Sequence, residues 1–206
     1  MPKIRTKAMK FPKWIIPVAI IAVLALWGIS KYNGLVAMDQ NVKSSWSQVE
    51  NQYQRRSDLI PNLVNVVKGY ASHERETLEG VITARSKATA TTINANDMDE
   101  AALQRFQQSQ DALSSALSRL MVVVEKYPDL KANEQFRDLS SQLEGTENRI
   151  ATARRDFNNA AQSYNTHRNQ FPTVVVAGVC GFRERPYFAA QAGSDVAPTV
   201  DFSSGK

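Results

Sequence analysis

The sequence predicts an all-α protein, in which one N-terminal transmembrane helix is followed by an up-and-down four-helix bundle with long helices and an irregular C-terminal segment. Two observations support this class. An uncharged apolar stretch lies near the start of the 206-residue chain, and beyond it apolar residues recur at alternating steps of three and four, the period of packed helices. The sequence of residues 31–170 shows no strand-like alternation. The predicted divisions are a basic tail, a membrane helix, the bundle and a C-terminal segment, at residues 1–13, 14–30, 31–171 and 172–206.

The positive charge of the chain is concentrated at its N terminus. The formal net charge is +5, and the cations that precede residue 14, with no acid among them, are Lys3, Arg5, Lys7, Lys10 and Lys13. These are five of the 25 basic residues, so the rest of the chain balances the 20 acidic residues. A neutral body argues against nucleic-acid binding.

The stretch from Trp14 to Ser30 is the predicted membrane helix and the predicted contact with the lipid bilayer. Its 17 residues carry no charge and span about 25 Å as a helix, slightly less than the roughly 30 Å of a hydrocarbon core. A cleaved signal peptide is the competing interpretation, but no small-residue cleavage site follows the stretch. We therefore expect an uncleaved signal anchor. The positive-inside rule places residues 1–13 in the cytoplasm and the bundle outside it.

Three apolar stripes define the predicted bundle helices. They begin at Leu35, Leu103 and Phe136, and the third includes His167 and Phe171. The steps of the second and third stripes alternate strictly between three and four, which is typical of coiled-coil seams. The side chains predicted to be largely buried are Trp46, Leu63, Val67, Leu113, Leu117, Leu143, Ile150, Phe157 and Tyr164.

The predicted helix boundaries follow from breaker and cap residues. Residues 91–98 form a loop, and the prolines at 128 and 172 end the third and fourth helices. Candidate caps are Asp97 for the third helix and Asp129 or Asn133 for the fourth. The first boundary has two interpretations. Asp58 as N-cap with Pro61 in the next turn predicts two helices, whereas an unbroken seam allows one kinked helix to about residue 90. We predict two, because a single helix would far exceed the others in length.

The segment after Pro172 is apolar but too short to span a bilayer. We expect residues 172–190 to pack on the bundle as an extended segment, or to act as a lid or a docking strand for a partner. Cys180 is the only cysteine, which excludes an intramolecular disulfide and a cysteine zinc site. We expect Cys180 to be buried and to pack as a small apolar side chain.

The sequence contains no recognisable catalytic, cofactor-binding or metal site, and no cofactor is predicted. His73, Glu74 and Glu76 lack the histidine spacing of a zinc helix and are read as a solvated face. His167 is read as a satisfied core or dipole-facing histidine. The basic pairs, read as surface charge, are Arg55-Arg56, Arg154-Arg155 and Arg183/Arg185.

Some small and polar positions have structural interpretations. Asn158 and Asn165, one heptad apart, are expected to be half-buried and to fix helix register. Gly69, Gly80 and Gly145 are either tolerated surface glycines or points where two helices approach closely.

An ordered set of motifs covers residues 30–190. The motifs are YNGLV (32–36), Trp46, RRSDLIPNLV (55–64), VKGYASHE (67–74), YPDLKA (127–132), EGTENRI (144–150), Phe157-Asn158, Tyr164-Asn165, Phe171-Pro172 and Pro186-Tyr187-Phe188. In this order they resemble the LemA family. The resemblance implies a helical-bundle protein of the bacterial cytoplasmic membrane, with no established activity and no catalytic residues. Some descriptions of that family place the short N terminus outside the cell, but the N-terminal cations predict the opposite.

These observations favour a non-enzymatic, membrane-tethered scaffold or adaptor that binds a protein partner or its own copies and no nucleic acid. A regulator of a membrane protease or of an envelope-stress partner is the alternative. An enzyme that uses helix carboxylates such as Glu74 and Glu76 is the third hypothesis.

Overall fold

The computed structural model describes residues 14–189 of the chain, so the predicted basic tail at residues 1–13 lies outside the described residues. Within residues 14–189 the protein is all-helical and contains no strand, which confirms the predicted class. The six helices of this range are α1 (Ile15–Tyr70), α2 (Arg75–Ala90), α3 (Glu100–Val124), α4 (Pro128–Ala132), α5 (Glu134–Asn169) and α6 (Thr173–Cys180). An extended segment from Phe182 to Ala189 follows α6.

Helix α1 is continuous through Pro61, so the predicted break at Asp58 and Pro61 is wrong. Proline has no N–H to donate to the carbonyl four residues earlier. That carbonyl belongs to Ser57, and it accepts a hydrogen bond from Nε of Arg85 in α2 at 2.8 Å. Because a neighbouring helix satisfies the carbonyl, the proline does not end α1. The helix ends instead at Tyr70, and a short turn leads into α2.

The first part of α1 is long and apolar enough to cross a membrane, as the sequence predicted. Its large side chains face outward, and Leu26 for example is 69% exposed. The same helix continues without interruption into the part whose seam is buried, beginning at Leu35. The predicted boundary at residue 30 is therefore a change of surroundings rather than the end of a helix.

Helices α1 and α5 run antiparallel along their shared length. Nδ2 of Asn133 donates to the hydroxyl of Tyr70 at 3.0 Å, and the rings of Trp46 and Phe157 lie 5.6 Å apart. At the end next to the apolar part of α1, Nε2 of His167 would lie 3.7 Å from a Cβ at position 34. Helices α2 and α3 also pack against each other, and α2 packs against α1 as well.

Buried apolar side chains within the described range form two clusters, one on each side of residue 56 along α1. The cluster nearer the membrane segment centres on Trp46, whose ring lies 5.3 Å from Phe106 and 6.0 Å from Phe188. All nine side chains predicted to be largely buried are buried: Trp46, Leu63, Val67, Leu113, Leu117, Leu143, Ile150, Phe157 and Tyr164. The stripes therefore supply the core of a single chain.

Several predictions at the edges of this core are wrong. Phe171 belongs to the third stripe by spacing, yet it lies beyond the end of α5 and is 85% exposed. The stretch from Thr173 to Cys180 is helical rather than extended, because packing of Thr173 and Ala177 against the body outweighs the weak helix propensity of valine. Cys180 ends this short helix and is exposed rather than buried.

The structure decides between the alternative interpretations of the helix caps and of three glycines. Asn133 caps α5, because its side chain accepts a hydrogen bond from the N–H of Phe136 at 2.9 Å. Asn133 is one of the two predicted caps of this helix. The cap of α3 is Asp99 rather than Asp97, since its carboxylate accepts from the N–H of Ala102. The predicted loop at residues 91–98 is confirmed. A Cβ at position 69, 80 or 145 would meet nothing within 4 Å, which excludes a close helix approach at these glycines.

Candidate functional site

A polar cleft lies at the end of the helical body that adjoins the apolar part of α1. Its volume is about 1080 Å³. The lining comes from the beginning of the buried seam of α1, the loop between α2 and α3, the end of α5, and the extended segment after α6. Four separate parts of the chain therefore meet in this cleft.

Side-chain amides on α5 position the extended segment that forms one wall. Asn165 accepts from the N–H of Arg185 at 2.9 Å and donates to its carbonyl at 2.8 Å. Asn158 makes the same pair of bonds to Phe188, at 2.9 Å and 3.1 Å. Each side-chain amide thus makes the pair of hydrogen bonds that a neighbouring strand would make with the same residue. The two asparagines are buried or half-buried as predicted, but they hold the C-terminal segment rather than the register of two helices.

The spacing of the two asparagines matches the spacing of their targets. Seven residues of helix rise about 10.5 Å, and three residues of extended chain span about 10 Å. Asn158 and Asn165 therefore reach positions 188 and 185 without distortion of either element. The same segment is held at its start, where Nε of Arg168 donates to the carbonyl of Phe182 at 2.9 Å.

Asp39 and Arg185 form the charged centre of the cleft. Nε of Arg185 donates to the Asp39 carboxylate at 3.1 Å, and Nη1 donates to the carbonyl of Ala95 at 2.9 Å. Lys43 pairs with the second carboxylate oxygen at 2.9 Å. Burial alone would raise the pKa of Asp39, but the hydrogen bonds and charges of Lys43 and Arg185 outweigh it and hold that pKa below its ordinary value. This ion pair joins α1, the α2–α3 loop and the C-terminal segment.

The hydroxyl groups beside this pair serve the same segment. The Tyr164 hydroxyl donates to the carbonyl of Arg183 at 2.9 Å, and burial raises the pKa of that hydroxyl. The Tyr187 hydroxyl accepts from Nδ2 of Asn165 at 2.9 Å. These groups are therefore occupied in fixing the wall of the cleft. The arrangement suits binding of polar groups at the open mouth better than nucleophilic attack.

A second polar constellation separates the two apolar clusters. Arg56 is 1% exposed, and its guanidinium donates to Ser114 at 2.9 Å, to Glu147 at 2.8 Å and to the side chain of Gln110. The guanidinium also lies 5.0 Å from the centre of the Tyr53 ring. Three helices therefore contribute to one buried polar layer.

The interpretation of the basic pairs as surface charge is wrong for Arg56 and Arg185, which are largely enclosed. The interpretation holds for Arg55 and Arg155, which are exposed. A sequence signal for Arg56 existed, because position 56 follows Tyr53 by three and precedes Ile60 by four, so it lies on the seam of α1.

The two histidines, His73 and His167, lie far apart. His167 is half-buried beside Gly34, whereas His73 is exposed beyond the far end of α1. From Gly34 to Tyr70 the helix rises about 54 Å, which separates the two imidazoles. Glu74 accepts a hydrogen bond from the Tyr127 hydroxyl at 3.2 Å, and Glu76 is exposed. Within residues 14–189, no group of three His, Cys, Asp or Glu side chains is placed to hold a metal ion.

The sequence of the chain is similar to those of several known proteins. The sequence model described as the LemA family matches residues 45–202. Magnetosome protein MamQ 2 of Paramagnetospirillum magneticum is 28% identical to the chain, over 86% of the chain and 70% of the relative. Magnetosome protein MamQ of Magnetospirillum gryphiswaldense is 26% identical over the same shares. Protein LemA of Metamycoplasma hominis is 26% identical, over 72% of the chain and 64% of the relative.

Proposed function

The chain belongs to the LemA family, and we propose that it is a non-catalytic scaffold anchored in the cytoplasmic membrane of a bacterium by one helix. In this proposal residues 14–30 cross the bilayer, residues 1–13 lie in the cytoplasm, and the helical body lies on the other side. The body binds a protein partner or further copies of the chain.

One observation carries the proposal, namely the continuity of α1. Its first part presents apolar side chains outward on all sides, which suits lipid. Its second part buries its seam in the body. Because the same helix serves both parts, the body is fixed to its anchor without a flexible linker. A protein that holds others at a defined height above a membrane requires such a rigid connection.

The body fits an up-and-down four-helix bundle formed by α1, α2, α3 and α5. The antiparallel packing of α1 on α5 and the packing of α2 on α3 support this arrangement. The short helix α4 then serves as the connection between the third and fourth bundle helices.

The second part of the proposal is that the body has no catalytic activity. Support comes from the separation of His73 and His167 along α1, and from the engagement of the cleft side chains in holding the segment from Phe182 to Ala189. Such a rigid polar network favours a scaffold that undergoes little conformational change.

The proposal is tested by extraction and crosslinking in native membranes. The full chain should stay in the membrane pellet after alkaline carbonate washing, because an integral helix resists extraction. Crosslinking followed by mass spectrometry should yield links from the body to a defined partner or to another copy. Release of the chain by carbonate, or a body without any crosslink at endogenous expression, would contradict the proposal.

A further inference from the structure

The end of the body nearest the membrane segment carries an apolar surface that nothing in the described chain covers. This surface, here called the basal patch, consists of Phe171, Val174, Val175 and Val179. Phe171 is 85% exposed and Val179 is 84% exposed. Val175 and Val179 lie four residues apart and share one side of α6, and Phe171 lies just before the helix.

Helix α6 exposes three of its four valines, and the fourth, Val176, packs partly against the core. Thr173 and Ala177 are buried against the body, while the valines at 175 and 179 are exposed. A helix on a protein in water normally has the reverse distribution. The exposed fraction of α6 therefore points to contact with something apolar outside the chain.

The level of the basal patch follows from the pairing of α1 with α5. Tyr70 meets Asn133, Arg56 meets Glu147, and Trp46 meets Phe157. Each step forward along α5 is thus one step back along α1, and the register still holds where Gly34 faces His167. Continued to Phe171, it reaches about position 31, next to the end of the uncharged stretch.

Other contacts place the rest of the patch at the same level. The ring of Phe182, just after α6, lies 5.5 Å from the ring of Tyr32. Cations are available there as well, since Lys31 follows the uncharged stretch and Arg183 is exposed one residue after Phe182. Apolar side chains with cations beside them are the pattern of a surface that rests in the headgroup region.

We propose that the basal patch lies in the interface of the same bilayer that α1 crosses, with Phe171 and the valines of α6 inserted among the acyl chains next to the headgroups. This inference rests on the proposed membrane anchoring. It gives the body a second lipid contact beside its anchor, which fixes the tilt of the body relative to the membrane.

The experiment measures membrane depth with a nitroxide label in the full chain. Because Cys180 is the only cysteine, a Cys180→Ser background accepts single labels at chosen positions. Val179→Cys reports on the patch, Ala22→Cys on the middle of the anchor, and Val122→Cys, exposed on α3 far from the membrane end, on water. Each protein is reconstituted into vesicles of phosphatidylcholine and phosphatidylglycerol. Relaxation by oxygen and by a water-soluble nickel complex is then compared.

The ratio of oxygen to nickel accessibility at position 179 should exceed that at position 122 several-fold and remain below that at position 22. Adding Phe171→Ser and Val175→Ser should lower the ratio at position 179 towards the aqueous value, and both positions are exposed enough for the protein to fold. An aqueous ratio at position 179 with a lipid ratio at position 22 would overturn the inference and leave the anchoring intact.

Two further outcomes are also decisive. An aqueous ratio at both positions 179 and 22 would overturn the anchoring and the inference together. Spin–spin broadening at position 179 that disappears on mixing with excess unlabelled protein would show a second copy of the chain on the patch, and would overturn the assignment to lipid.

Discussion

A buried guanidinium such as that of Arg56 is stable only when its donors find acceptors, because transfer of an unpaired charge from water is costly. Its partners come from α3 and α5, and Glu147 is the only charged one among them. The side chain of Glu147 is 41% exposed, so water weakens that ion pair. Much of the accommodation therefore falls to the neutral acceptors Gln110 and Ser114.

The first prediction concerns Gln110, which is buried beneath the guanidinium. Gln110→Leu removes an acceptor and should lower the free energy of unfolding by about 1.5–3 kcal/mol, the range for a hydrogen bond to a charged group. Gln108→Leu makes the same change at an exposed position of the same helix and should cost less than about 0.5 kcal/mol. Chemical denaturation of the full chain in detergent measures both.

Adding Arg56→Met to Gln110→Leu tests the cause. The double variant should be more stable than Gln110→Leu alone, because no buried charge is then left short of an acceptor. Equal costs for Gln110→Leu and Gln108→Leu would contradict this account of the polar layer.

The second prediction is a dependence of stability on pH that originates at Asp39. The pKa of Asp39 in the folded chain lies below its ordinary value of 3.8. A carboxylate of this kind stabilises the fold above its unfolded pKa, and the contribution is lost as the pH falls through the folded value. The free energy of unfolding should therefore decrease between pH 5 and lower values, and Asp39→Asn should reduce that decrease.

Asp58→Asn controls for the loss of one negative charge on α1, since Asp58 is exposed on the same helix. This variant should keep the wild-type difference between the two ends of the pH range. A wild-type difference in Asp39→Asn as well would mean that other carboxylates carry the acid sensitivity.

At the residue scale, the sequence allowed the apolar core to be predicted but not its buried charges. Gln110 and Thr146 lie on predicted stripes, and Arg56 occupies a seam position of α1. Arg56 and Gln110 share one layer, but nothing in a single helix reveals which polar seam positions face each other. Arg185 lies in a segment without periodicity, and its partner Asp39 is 146 residues away in sequence.

At the scale of helices, the unbroken course of α1 through Pro61 depends on α2. Arg85 donates to the carbonyl that the proline leaves free. The possible cap at Asp58 and the position of Pro61 predict a helix start. The local rules fail here because the donor comes from 28 residues further along the chain. Similarly, the valines of α6 favour a strand locally, and the packing of Thr173 and Ala177 against the body favours the helix.

The third prediction is a coupling between Pro61 and Arg85. Arg85→Ala should destabilise the protein by about 1–3 kcal/mol, because it leaves a buried carbonyl without a donor. In a Pro61→Ala background the N–H of residue 61 can donate to the same carbonyl. Arg85→Ala should then cost clearly less, and a double-mutant cycle on the free energy of unfolding measures the difference.

Pro61→Ser, at the same exposed position, provides a second residue with an N–H and should behave like Pro61→Ala. Additive costs of the two changes would contradict the assignment of Arg85 as the substitute donor. Pro61 would then have to be tolerated for reasons internal to α1.

At the scale of the whole molecule, the anchor, the core seam and the cleft lie along one helix. Asp39 is nine residues beyond Ser30, so the charged centre of the cleft lies about 13 Å from the end of the uncharged stretch. In the proposed membrane arrangement the cleft therefore opens close to the membrane surface. A tilt of α1 in the bilayer would then move the cleft and the far end of the body together, because no flexible joint separates them.

The last prediction is the orientation of the chain. Five cations and no acid precede the anchor, whereas the body is neutral, so the positive-inside rule retains the N terminus in the cytoplasm. In a Cys180→Ser background, Val122→Cys on the exposed face of α3 should react with a membrane-impermeant maleimide in intact cells whose outer barrier has been made permeable. Thr6→Cys in the basic tail should react only after lysis.

Replacement of the five cations by glutamine tests the cause of this orientation, because it removes the charge bias while the anchor stays the same. That variant should show partial labelling at position 122, since molecules of both orientations would be inserted. Reaction of Thr6→Cys in intact cells together with protection of Val122→Cys would reverse the assignment. The body and its cleft would then face the cytoplasm, and the short uncharged stretch rather than the charge of the tail would have to determine insertion.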